Sequence, residues 1–137
     1  MGLILDSSIL IAAERKGHSV LQALGHVLSA AGNQEAALAS VGLVELAHGI
    51  YRADTAERRE RRRAFINELL DDVPVYPLTG KVAMLAGKID GEQQAQGVKI
   101  HFQDLLIGAT ALDLGYAVVT GNLRHFEMIP GLTVVAL

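Results

Sequence analysis

Three acidic residues stand where an unpartnered carboxylate is costly. Asp6 closes the apolar run Gly2-Leu-Ile-Leu, Glu45 lies inside Val41-Gly-Leu-Val-Glu-Leu-Ala47, and Asp104 precedes Leu105-Leu-Ile107. Buried alone, each would stay protonated or find a cation. Brought together, they would raise one another's pKa, a conflict that a divalent ion removes. The donors are all oxygens. There is no cysteine, and His18, His26, His48, His101 and His125 show no ligand spacing. The expected ion is therefore hard, Mg²⁺ or Mn²⁺ rather than zinc. Such an ion activates water and stabilises charge on a phosphoryl oxygen, which is the chemistry of phosphodiester hydrolysis.

Each residue also has a plainer reading. Asp6 with Ser7 and Ser8 suits a helix cap, and so does Asp104. Glu45 could reach the helix edge or pair with an arginine. Asn122, in Thr120-Gly121-Asn122, suits a turn. His101 and His125 neighbour these segments and read as structural. The joint placement of the acids favours the functional reading.

The elements that would position them alternate. Apolar runs at 2–6, 36–40, 117–120 and 132–136 read as strands, and 73–77, with its two prolines, as a short edge strand. Helices are expected over 9–15, with a serine as cap, and over 19–30, 42–53, 56–70 and 103–114, with one more beginning after Thr79. In that last helix Val82, Leu85, Ala86 and Ile89 share one face. Strands of nearly continuous apolar character alternating with helices predict an α/β fold with a parallel sheet covered on both sides. Ligands of such sheets bind beyond the carboxyl ends of the strands. The polar residues expected there are Asp6-Ser7-Ser8, Ser40 and Thr120-Gly121-Asn122.

Composition bounds the alternatives. Half of the 137 residues are hydrophobic and 4% aromatic, so disorder is excluded and a single domain spanning 1–137 is expected. The absence of cysteine excludes a disulfide scaffold and a thiol nucleophile. No apolar run approaches the roughly 20 residues of a membrane span. The start, MGLILDSS, lacks the basic region of a secretory signal, so a cytoplasmic protein with no membrane association is expected. There is no GxxxxGK phosphate loop, and position 8 is serine where a phosphatase of the two-aspartate type needs its second acid.

Net charge is −3, yet five of the twelve basic residues (Arg58, Arg59, Arg61, Arg62, Arg63) fall within six positions. At about 100° per residue, Arg58, Arg62 and Arg59 extend the face that Phe65, Ile66, Leu69 and Leu70 make apolar one turn later. A face that turns from apolar to cationic predicts a helix overhanging a groove, with Arg58, Arg59 and Arg62 facing it. The alternative is a solvated face tied by a Glu57–Arg61 pair.

LDSSILI at 5–11, SVGLVEL at 40–46, FQDLLIGATAL at 102–112 and TGNLRHFEMIPGL at 120–132 together resemble the PIN-domain ribonucleases, and among them the VapC-type toxins of bacterial toxin–antitoxin pairs. The resemblance runs through the whole chain in order. It implies a three-layer α/β/α fold around a parallel sheet of about five strands. It also implies a Mg²⁺- or Mn²⁺-dependent endoribonuclease, with Asp6, Glu45 and Asp104 on the first three positions of an acidic quartet. The fourth position, often aspartate, falls on Asn122, which removes one negative charge. Ser7 and Thr120 match hydroxyl positions that orient the carboxylates. An antitoxin partner and a homodimer are further implications, with Arg58, Arg59 and Arg62 expected to contact RNA phosphates or the antitoxin; a catalytically inactive PIN-like module that binds RNA or protein is the alternative.

Overall fold

The computed structural model describes all 137 residues. Five strands run in one direction: β1 (Gly2–Leu5), β2 (Glu35–Ala39), β3 (Val75–Tyr76), β4 (Ala117–Thr120) and β5 (Val134–Ala136). Their order is β3-β2-β1-β4-β5. The chain builds outward from β1 to one side, then returns to lay β4 against its other edge. The switch point thus falls between β1 and β4, where parallel sheets open a crevice.

Seven helices connect and cover the strands: α1 (Ser7–Arg15), α2 (Val20–Ala31), α3 (Ser40–Tyr51), α4 (Ala56–Asp72), α5 (Gly80–Ala95), α6 (Phe102–Leu114) and α7 (Leu123–Glu127). Because strand side chains alternate, β1 feeds two cores. Leu3 and Leu5 pack with Leu10, Val27, Leu38, Leu46, Phe65 and Leu69 on the side of α1, α2 and α4. Ile4 packs with Val82, Ile89, Leu105, Ile107, Val118 and Phe126 beneath α5, α6 and α7. The three-layer expectation holds.

Local chemistry explains most boundaries. Ser19 and Gln22 form a reciprocal capping box at α2, and Thr55 and Thr79 cap α4 and α5. Gly115 ends α6 with φ +70°, where a side chain would be strained. The proline-flanked β3 is one of the two edge strands, as its composition predicts, and β5 is the other. Two readings need correction. No serine caps the first helix, since Asp6 occupies the N-cap position and Ser7 and Ser8 lie inside α1. Ser40 follows β2 but serves the loop after β3, accepting a hydrogen bond from the Leu78 N–H at 3.1 Å. Helix α7 was not expected. It is five residues long, too short for a periodic signal, and is pinned by the fully buried Phe126.

Candidate active site

Asp6 is the one residue between β1 and α1 and is 3% exposed. Its side chain caps nothing. Instead Oδ2 accepts two hydrogen bonds, from Ser8 Oγ at 2.7 Å and from Thr120 Oγ1 at 2.8 Å. Thr120 ends β4 and is fully buried. Its hydroxyl accepts from the Asn122 N–H at 2.9 Å, and that of Ser8 from the Gly121 N–H at 3.1 Å. Each hydroxyl is thereby oriented by the backbone after β4 and gives its proton to Asp6. Both land on Oδ2, so Oδ1 takes no hydrogen bond from the chain.

Asp104 sits in the first turn of α6, where the helix dipole favours an acid, but the N-cap is His101. It is 7% exposed, and its Oδ2 meets Nδ1 of His125 at 3.0 Å and Nδ1 of His101 at 3.4 Å. The two imidazoles stack with ring centres 6.1 Å apart. Burial pushes the Asp104 carboxyl up, the charge of Asp6 adds to this, and the two histidines pull the other way.

Glu45 projects from the middle of α3, half-buried, and its Oε1 is enclosed with no hydrogen-bond partner. Burial raises its pKa first, then the negative charge of Asp6, with a further push from Asp104. The Ser7 hydroxyl beside it works in the opposite direction, although no hydrogen bond of ordinary length joins them. Ser7 therefore neighbours Glu45, while Ser8, which the motif reading passed over, holds Asp6.

The three acids thus come from three remote segments to the carboxyl edge of the sheet and share one electrostatic field. None of them is paired with a lysine or arginine: the lysine and arginine ion pairs are Arg58–Asp54, Arg63–Glu60 and Lys81–Asp113. As the side chains stand, no group of three acidic or histidine side chains is arranged to hold a metal ion. A donor set made of oxygens, an enclosed carboxylate oxygen without a partner, and mutual repulsion that no cation relieves fit a hard divalent ion. Asn122 contributes its backbone N–H to Thr120, while its exposed side chain makes no capping hydrogen bond.

Of the arginines expected to face a groove, Arg58 and Arg62 line a cleft beside Glu45 and Arg59 does not. Arg58 donates from Nη1 to both oxygens of Asp54, at 3.0 and 3.2 Å. Arg62 donates to the Gly49 carbonyl at 2.6 Å and Arg59 to that of Ala53 at 3.4 Å, so both turn onto the C-terminal end of α3. Arg59 and Arg62 follow the core-facing stripe inward, Arg58 stays exposed, and α4 lies against α3. The Glu57–Arg61 pair of the alternative does not form, and Arg63 pairs with Glu60 instead.

Residues 3–131 match the model of the PIN domain. The chain belongs to the PIN-domain family. Ribonuclease VapC1 of Rickettsia felis is 32% identical to this PIN domain over 137 residues, spanning all of this chain and 97% of that protein. A tRNA(fMet)-specific endonuclease VapC of Salmonella typhimurium is 32% identical over 97 residues, 71% of each chain. Among solved structures, the VapBC2 complex of Rickettsia felis bound to a promoter DNA fragment superposes with a TM-score of 0.84 at 24% identity, covering 99% of this chain and 98% of that one. That likeness shows the shared fold. No helix of this PIN domain is long and apolar enough to cross a membrane.

Proposed function

We propose that this PIN domain is a metal-dependent endoribonuclease, a single unit over residues 1–137, acting as the toxin of a toxin–antitoxin pair in the cytoplasm. The observation that carries the chemistry is the enclosed Oε1 of Glu45 without a hydrogen-bond partner, in a carboxylate whose pKa burial, Asp6 and Asp104 push up, with no guanidinium or ammonium partner on any of the three acids. The relatives support the substrate class, since those named above are ribonucleases. The antitoxin rests on the VapBC complexes that share the fold. A homodimer accords with the family.

Asp6, Glu45 and Asp104 would hold Mg²⁺ or Mn²⁺. When bound, the ion compensates the carboxylate charge, makes water acidic enough to serve as nucleophile at neutral pH, and offsets charge on the phosphoryl oxygens. The chain's own part is orientation. Ser8 and Thr120 fix Oδ2 of Asp6 and leave Oδ1 free to ligate. His101 and His125 do the same for Asp104. Asn122, at the mouth of the site, can add a neutral carbonyl oxygen where a carboxylate would add charge. Of the arginines of α4, Arg58 and Arg62 line the cleft beside Glu45 and help shape the RNA side of the site. Arg59, held by Ala53, supports them from behind.

Purified protein incubated with total RNA and Mn²⁺ or Mg²⁺ should cleave it, and neither Asp6→Ala nor chelator-treated protein should. Equal cleavage by wild type and Asp6→Ala would remove the mechanism. RNA binding without cleavage under every metal condition would instead favour the inactive binding module.

A further inference from the structure

Four arginines, Arg15, Arg52, Arg61 and Arg124, remain uncommitted, and the first three gather in one place. Arg15, Arg52 and Arg61 are exposed, and none donates a side-chain hydrogen bond or forms an ion pair, whereas Arg58, Arg59, Arg62 and Arg63 all do. The three come from the end of α1, the end of α3 and the second turn of α4. They nevertheless share one surface depression. A cleft of about 740 Å³ begins at Glu45 and Gln103 and takes Arg15 and Arg52 into its walls. It continues into a second hollow of about 440 Å³ with no apolar lining, where Arg15 and Arg61 face Glu14. The two share Arg15, Arg58 and Arg62 and so form one trough.

We propose that Arg15, Arg52 and Arg61 form a phosphate track that carries the single-stranded RNA backbone away from the cleavage site. The inference rests on the ribonuclease reading. A chain whose reacting phosphate sits beside Glu45 and Asp104 must lay its next phosphates on adjacent surface. That surface is repulsive near the acids, and along this trough it carries the guanidinium groups of Arg15, Arg52 and Arg61. The molecule as a whole is negative, at −3, so the attraction is local. A folded protein partner is a poorer fit, because the apolar recess beneath the trough, between Leu10, Leu46 and Phe65, holds only about 70 Å³. Unpaired guanidinium groups along an open trough suit a flexible polyanion, whose phosphates they can meet two bonds at a time.

The test is the salt dependence of binding of a labelled 12-nucleotide single-stranded RNA to the Asp6→Ala protein, which binds without cutting. Each lost phosphate contact should flatten the slope of log K against log salt by about 0.7. Replacing Arg15, Arg52 and Arg61 together by alanine should flatten it by about 2, a loss of about 100-fold in affinity at 0.1 M salt. In the cleaving enzyme the loss should appear as a raised KM. Lysine at all three positions should restore most of the slope. Lys88→Ala on α5, outside the trough, should leave it unchanged. An unaltered slope in the triple alanine variant, or an equal loss from Lys88→Ala, would overturn the track. Unaltered RNA binding together with lost antitoxin inhibition would also overturn it and assign the trough to a protein. A wild-type protein that neither binds nor cuts RNA would sink the ribonuclease reading itself, a distinguishable result.

Discussion

Replacing Thr120 by valine removes one hydroxyl and almost nothing else. The side chain is fully buried at the end of β4, and valine matches its shape. Three contacts of that hydroxyl disappear together: the 2.8 Å hydrogen bond to the Asp6 carboxylate, the 2.9 Å bond received from the Asn122 N–H and a long 3.5 Å contact with the Ser8 hydroxyl. A hydrogen bond to a charged group is worth about 1.5–3 kcal/mol. The Asn122 N–H lies near the surface and can turn to water, so its loss adds little. The expected destabilisation is about 2–3 kcal/mol, equivalent to a Tm lower by about 7–10 °C in a chain of this length. Urea unfolding of the metal-free protein should show a lower midpoint at an unchanged m-value. Thr120→Ser, which keeps the hydroxyl, should recover most of the loss. With Asp6 held by Ser8 alone, RNA cleavage should fall about 10–100-fold, the usual effect of removing a group that orients a metal ligand. Stability within 0.5 kcal/mol of wild type together with undiminished cleavage would refute the argument that Thr120 positions Asp6.

The raised pKa values of Glu45 and Asp104 set a pH dependence. Their protons are held more tightly in the folded state. In chelator, stability should therefore fall as pH rises from the ordinary carboxylate value, about 4, through the raised values, and then level off. Asp104→Asn should flatten that decline in urea titrations, and Mn²⁺ should raise Tm in wild type more than in the variant; a rise in stability over this range would contradict the shared-field account. Phe126→Ala should cost about 3–5 kcal/mol as an unfilled core site. It should also loosen His125 from Asp104, because Phe126 is the buried anchor of the five-residue α7. A loss under 1 kcal/mol by calorimetry would show that α7 is held by other means.

Much of the site was legible in the chain because its costs are local. An acid inside an apolar run must be paid for by something nearby, and that argument selects Asp6, Glu45 and Asp104 without coordinates. The same holds for the sheet, since continuous apolar strands alternating with helices leave few arrangements other than a covered parallel one. The fold class, the edge position of β3 and the glycine stop at position 115 follow from side-chain periodicity, missing N–H groups and backbone freedom.

Partnerships between distant segments were decided by tertiary structure alone. Ser8 and Ser7 are adjacent and chemically identical, and the rotation of α1 against β4 sends one to Asp6 and the other toward Glu45. His101 and His125 carry no mutual spacing, yet α6 and α7 bring both onto one oxygen of Asp104. The arginine run divides in the same way. Docking α4 against α3 commits Arg59 and Arg62 to backbone carbonyls, while Arg15 and Arg52, outside the run, stay free beside it. Sequence determines what a residue can donate or cannot bear to bury. The helix rotations and the strand order determine which neighbour answers it, because contacts across 100 residues depend on how whole elements pack and not on local spacing.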